Sequence, residues 1–258
     1  MHNSKSQPVT AVDVLKTWFP LALSWLMMGI ELPLLSAVVA RLANPEINLG
    51  AYGGVVFPLS LLIEAPIIML LTASTKLSRD LASYKNLWRF MMIAGGGLSA
   101  LHLFVAVTPV FDWLVGGLLG VEGDILEASR LGMIIMTPWT WAIAHRRFNQ
   151  GVLIRFGHSR AVTWGTLTRL VAVVSVLSIC YVLAKGSSLP ELGIIAATAA
   201  VSAGVVIEAL YIAWKVRPVV RDILPTARSN EPPLNRKRFI SFYIPLALSP
   251  LLGLAAQP

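Results

Sequence analysis

Three glutamates, Glu31, Glu64 and Glu208, lie inside long apolar runs, where an ionised carboxylate is poorly solvated. Two of them share a local pattern. Residues 30–33 read IELP and residues 63–66 read IEAP, so a proline, Pro33 or Pro66, follows each acid two positions on. Proline has no N–H to donate. The carbonyls of Gly29 and Leu62, four residues before, lose their helical partner, and each helix is expected to bend there. A carboxylate beside a freed carbonyl can serve as an oxygen site for Na⁺, or as an acid that takes up and releases H⁺. The structural alternative is a protonated glutamate hydrogen-bonded to a neighbouring helix, beside an ordinary proline kink.

Position along the runs sets the depth of these acids. Glu31 is 13 residues from Trp18 and 10 from Arg41, and Glu64 is 12 from both Tyr52 and Lys76. At 1.5 Å per helical residue both fall near the middle of a membrane-crossing helix. Consecutive spans are antiparallel neighbours, so the two carboxylates are expected to approach each other. Glu208, seven residues before Lys215, could snorkel to the surface or pair with a basic helix end.

A second candidate is the basic stretch RRFNQGVLIRFGHSR, residues 146–160, which contains Arg146, Arg147, Arg155 and Arg160. Read as a cytoplasmic loop, it could attract an anionic substrate or a lipid headgroup. Membrane topology accounts for the same charges without any ligand.

Other chemistries lack their parts. Cys180 is the single cysteine, and His2, His102, His145 and His158 show no metal-ligand spacing. There is no phosphate-binding Gly-rich loop, and no motif supplies a nucleophile, base and orienting group, so neither a cofactor nor an enzyme is expected. Na⁺ or H⁺ remains as the coupling ion, and gradients as the energy source. The net charge of +8 resides in short segments beside apolar runs, which suits a lipid bilayer rather than nucleic acid.

These residues must be positioned by membrane-spanning helices. Hydrophobic residues make up 56% of the 258 and charged ones 13%, with mean hydropathy +0.71. Backbone in hydrocarbon must bond to itself, so an all-α multi-pass membrane protein is expected. Apolar stretches occupy 18–39, 52–75, 87–115, 128–144, 161–183 and 192–214, and a seventh begins near 239. The fourth, with Pro138 inside it, is only about 17 residues long, at the lower limit for a span. The first is too long for a signal peptide core.

Lys and Arg alternate between segments. One set holds Lys5, Lys16, Lys76, Arg79, Lys85, Arg89, the 146–160 stretch and the basic residues from Lys215 to Arg238. The other set holds Arg41, Arg130 and Lys185, with the acids Asp112, Glu122, Asp124 and Glu127. The bias places the N-terminus in the cytoplasm and the chain in the cytoplasmic (inner) membrane. Trp18, Trp88, Trp113, Trp164 and Trp214 fall near span ends, as interfacial anchors do. Gly95, Gly96 and Gly97, and the four-residue spacing of Ala196, Ala200 and Gly204, read as helix-packing surfaces.

The stretch FPLALS at 19–24 returns as IPLALS at 244–249, each opening an apolar span after basic residues. A seventh helix that restarts the pattern of the first after six spans implies two parallel repeats. The expected organisation is a six-helix lobe over 1–214, a basic cytoplasmic linker over 215–238, and the start of a second lobe over 239–258. The sequence stops at LLGLAAQP without a flanking charge, which suggests that the C-terminal lobe is missing; a natural six- or seven-helix protein is the alternative.

The basic-flanked helices, the acid in the first helix and RRFNQGVLIRFGHSR resemble the MOP (multidrug/oligosaccharidyl-lipid/polysaccharide) exporter superfamily, over nearly the whole chain. Within it the sequence is similar to MATE exporters and, more closely, to the progressive ankylosis (ANK) group. FPLALSWLMMGIELP, LGAYGGVVFPLSLLIEAP, VIEALYIAWKVR and SFYIPLALSP carry the likeness to ANK. The resemblance implies a two-lobed, Na⁺- or H⁺-driven exporter of a small organic solute, with the substrate between lobes and alternating access. It also implies a role for the first-helix acid, here Glu31 where Asp is the commoner residue, and lends support to Glu208. A flippase for lipid-linked sugars and a non-transporting membrane scaffold are the other readings; few central cations stand out for the former.

Overall fold

The computed structural model describes residues 11–184, 189–229, 232 and 234–255. His2, Lys5, Lys185 and the final residues of the chain lie outside these. The described residues form helices and connecting turns, with no strand among them. Among the described residues five helical paths are long and apolar enough to cross a membrane: Val14–Val39, Pro45–Leu77, Leu81–Val107, Ser159–Ala184 and Leu192–Ile223.

Helix α1 (Ala11–Val39) runs through Pro20 and Pro33 without a break. The second path is built from pieces: α2 (Pro45–Leu49), a π-helical stretch (Gly50–Val56), α3 (Phe57–Ile68) and α4 (Leu70–Leu77). Asn44 enters it with φ +46°, a left-handed conformation that asparagine tolerates. Helix α3 runs through Leu62 and Pro66 as α1 runs through Pro33, and the path breaks only at Met69 (φ −77°, ψ 1°), three residues beyond Pro66 and not at the carbonyl that the proline frees. Helix α5 (Leu81–Val107) starts at a capping box in which Asp80 and Ser83 satisfy each other's backbone N–H groups.

Helix α6 (Gly123–Arg155) corrects the sequence reading of the fourth span. It has 33 residues, about 50 Å at the helical rise, where a marginal 17-residue span and a loop were expected. It is the hub of the fold, packed against α3, α4, α5 and α8 (Leu192–Pro218). A helix enclosed by other helices can carry polar groups that lipid would reject, which is why its apolar run looked short. Helix α7 (Ser159–Ala184) packs between α8 and α1. Of the segment 215–238 expected as a linker, the part to Ile223 is helical, as the end of α8 and the π-helical stretch Val219–Ile223; α9 (Arg236–Ala255) begins at Arg236.

Close approach decides which small residues matter. A Cβ on Gly95 would stand 2.8 Å from Ala144 Cβ and one on Gly204 2.6 Å from a Val173 methyl, whereas Gly96 and Gly97 face open space. At the end remote from the basic residues, Asn48 is buried. Its amide donates to the carbonyls of Ala43, Asn44 and Pro190 and its Oδ1 accepts from Ile194 N, tying the second path to the start of α8.

The apolar core is divided in two. One cluster contains Leu35, Val56, Met133, Ala200 and Val205, and the other Leu70, Met91, Phe148, Val152 and Ile212. Outside the bundle, Trp25, Leu26, Ile93, Val182 and Leu210 are all more than half exposed, a surface suited to acyl chains. Trp18, Trp88, Trp113, Trp164 and Trp214 are exposed near helix ends, as expected of interfacial anchors.

Candidate functional site

Between the two apolar clusters lies a charged layer. Its acids are Glu31 on α1, Glu64 on α3 and Glu208 on α8, which are 5%, 3% and 0% exposed. None of the three points into lipid. Three arginines accompany them, Arg146 and Arg147 on α6 and Arg169 on α7.

Glu208 neither snorkels nor reaches the helix end. Its Oε2 accepts from Arg146 Nη1 at 2.6 Å and its Oε1 from Gln150 Nε2 at 3.0 Å, with the Thr166 hydroxyl at 3.4 Å. Arg146 and Gln150 are one helical turn apart on α6, so one face presents both donors to the same carboxylate. Both carboxylate oxygens of Glu208 are thus bonded, while Arg146 Nε and Gln150 Oε1 stay buried without a partner.

Glu31 is held by Arg169, whose Nη2 lies 2.8 Å from Oε1 and 2.7 Å from Oε2. Arg169 Nη1 is also 4.0 Å from Glu208 Oε2, which links the two pairs into a chain across α1, α7, α8 and α6. Helix α1 packs on α7 instead of α3, so its acid meets an arginine. Glu64 keeps a different neighbourhood: Arg146, Arg147 and Arg169 all act on it electrostatically, yet its buried Oε2 has no hydrogen-bond partner. Tyr52, in the π-helical stretch, lies within electrostatic reach of Glu31 and Arg169, and its buried hydroxyl is also without a partner. Orphaned buried oxygens of this kind call for water, a proton or an ion.

The four arginines expected in a loop separate by role. Arg146 is sealed in its ion pair, and Arg147 is half-buried one residue further along α6 with its Nε unpartnered. Arg155 donates from Nη1 to the carbonyls of Thr75 and Lys76, capping α4. Arg160 is exposed at the start of α7. Only Phe156, Gly157 and His158 connect α6 to α7, so the stretch is mainly helix and not loop.

Sequence reasoning did not single out Arg169, although an arginine within the apolar run from 161 to 183 is a strong signal. It also missed His102, whose Nδ1 and Nε2 lie 2.9 Å from Thr140 Oγ1 and 3.0 Å from the Met133 carbonyl, joining α5 to α6. Among the described residues no three His, Cys, Asp or Glu side chains form a metal-holding group.

Taken together, the long apolar helices and the buried charged layer define a multi-pass helical membrane fold. No family model and no curated protein matches the chain. Among solved structures it is similar to a MOP superfamily transporter from Pyrococcus furiosus Vc1 (DSM3638), described as having a binding pocket of reverse polarity that suggests a different function. The TM-score is 0.64 at 16% identity, over 92% of this chain and 52% of that one. It is similar also to the outward-facing conformation of a multidrug resistance MATE family transporter of the MOP superfamily, with TM-score 0.63 and 17% identity, again over 92% and 52%. The fold is that of the MOP superfamily transporters, and the chain spans about half the length of those it matches.

Proposed function

We propose that the chain is the first lobe of a secondary-active transporter that exports a small organic solute by alternating access, with Na⁺ or H⁺ coupled at Glu31 and Glu64. The observation that carries the reading is the Glu64 carboxylate: 3% exposed, central in a broken helix, and with one oxygen unpartnered. Pro66 and the break at Met69 loosen the backbone beside it, giving carbonyl oxygens that can join a carboxylate around a cation. Glu31 contributes through Arg169: whatever changes the charge on Glu31 releases a guanidinium toward Glu208 or toward solute. On the orientation that the basic residues imply, the N-terminus is cytoplasmic. Substrate polarity is not carried over from the solved relatives, one of which is described by a pocket of reverse polarity.

The test is Na⁺ and H⁺ binding by the full-length protein in proteoliposomes, using ²²Na⁺ and a pH-sensitive dye. Glu31→Gln and Glu64→Gln should each remove Na⁺ binding or Na⁺-triggered proton release. Wild-type behaviour in both variants overturns the reading.

Arg147 and Arg169 favour a second reading, a flippase for lipid-linked sugars, because guanidinium groups suit a diphosphate. Movement of a fluorescent polyprenyl diphosphate across proteoliposomes would decide for it.

A further inference from the structure

The outer surface at the basic end of the bundle carries a feature that ion coupling does not use. Where α1, α7 and α8 meet, a cavity of about 470 Å³ is lined by Lys16, His158, Arg160, Trp164, Tyr211 and Lys215. A second cavity, about 550 Å³, shares Lys16, Arg160 and Trp164 with the first and continues between α1 and α7 past Leu15, Phe19 and Leu23. Among the described side chains no acidic one lines either cavity. Lys16 and Arg160 are exposed, and Lys215 holds its Nζ 4.2 Å above the Trp214 ring and 5.6 Å from that of Tyr211.

The second cavity is apolar for a specific reason. Its backbone oxygen, the Pro20 carbonyl, accepts from Thr163 Oγ1 at 2.7 Å and Ser24 Oγ at 2.9 Å, so that polar group is already satisfied. Phe19 and Trp164 stand 62% and 61% exposed beside it, which water would disfavour and acyl chains would not.

We propose that this composite of cationic pocket and apolar groove binds one anionic phospholipid. Its phosphodiester sits among Lys16, Arg160 and Lys215, and an acyl chain lies along Phe19 and Leu23. Charge and shape select the occupant together. A free anion would leave the groove empty, and a zwitterionic lipid would bring its own ammonium against three cations. On the positive-inside orientation the lipid belongs to the cytoplasmic leaflet, where anionic headgroups are found. Bound there, it would hold α1 against α7 and so support the helices that carry Glu31 and Arg169.

The experiment is native mass spectrometry of the purified full-length protein with dioleoyl phosphatidylglycerol or dioleoyl phosphatidylcholine. Phosphatidylglycerol should occupy one site about tenfold more tightly than phosphatidylcholine, and Arg160→Gln with Lys215→Gln should remove that preference. Leu23→Trp should weaken phosphatidylglycerol binding with no change in charge, and Lys16→Gln, at an exposed position, repeats the charge test if the double variant fails to fold. Lys85→Gln with Arg89→Gln removes the same charge from the start of α5 and should leave binding unchanged. Equal binding of the two lipids, an equal loss in the α5 control, wild-type binding by Leu23→Trp, or displacement of the lipid by inorganic phosphate at equal concentration would each overturn the proposal.

Discussion

Arg146 and Glu208 join α6 to α8 with side chains 2% and 0% exposed, whereas Arg169 and Glu31 join α7 to α1 with side chains 11% and 6% exposed. The difference in exposure is small, but the surroundings differ more. The first pair lies where the central helix α6 packs on α8, Gln150 adds a further bond to the same carboxylate, and next to it α6 meets α4 in a seam so close that only glycine fits at Gly151. The second lies on a flank whose outer helix, α1, exposes Trp25 and Leu26 and where the Tyr52 hydroxyl is unpartnered; Glu64 lies within electrostatic reach of the arginines of both pairs. Similar chemistry thus serves two ends. The inner pair is the more enclosed and suits a clamp; under the proposed ion coupling, the outer pair is where helices would shift and a proton or cation would enter.

The strongest way to break that comparison is to remove Glu208. Glu208→Ala leaves Arg146 buried without its partner, and stability should fall by about 3–5 kcal/mol. Thermal unfolding in detergent measures it. Arg146→Met with Glu208→Met, which removes both charges and keeps volume, should recover most of the loss. If Glu208→Ala melts like wild type, the inner pair is no clamp and the distinction disappears.

The next effect probes the seam of α6 with α4 through shape. A Cβ on Gly151 would stand 1.9 Å from Ser74 Oγ and 2.3 Å from the Leu71 carbonyl oxygen, and a helix carbonyl cannot turn aside as a side-chain tip can. Gly151→Ala should therefore cost roughly 1–3 kcal/mol by forcing α4 away from α6. Gly97→Ala is the matched control. Its Cβ meets nothing, and alanine in a helix should raise stability by roughly 0.5–1 kcal/mol. Melting temperatures that move in opposite directions would sharpen the picture of a seam set by contact and not by glycine content.

The comparison also explains what could be read from sequence. Glu31, Glu64 and Glu208 stand out because each is an acid in an apolar run, and all three prove to be buried. Arg146 and Arg147 were misplaced because basic clusters normally mark loops, a rule that holds only where helices end at the membrane surface. Here α6 continues to Arg155, so Arg146 lies inside protein and Arg147 is half-buried beside it. The pairing of Arg146 with Glu208 joins residues 62 apart in sequence, a distance that no local pattern can bridge. Arg169 was legible as a lone cation in hydrocarbon, but its partner was not. Which helix α1 packs against depends on how the broken second path threads inside the bundle. The spans themselves were plain from hydropathy, except the central one, whose enclosure by neighbours removes the need to be apolar.

The smallest effect tests whether the broken second path yields beside Glu64. Tyr243 on α9 donates its hydroxyl to the Pro66 carbonyl at 2.6 Å, two residues from Glu64, just before the break at Met69. Its ring also packs against Phe90 and Phe239, with centroids 4.9 and 5.2 Å apart, so Tyr243→Phe removes the hydrogen bond and keeps the aromatic contacts. The expected loss is about 1 kcal/mol, read as a small fall in melting temperature. The carbonyl left behind lies beside the break and can turn toward water, which is why the change stays small. A fall as large as that of Gly151→Ala would mean that α3 cannot yield there. The broken path would then be as rigidly held as the seam, and the loosened backbone that the proposed site needs beside Glu64 would be lost.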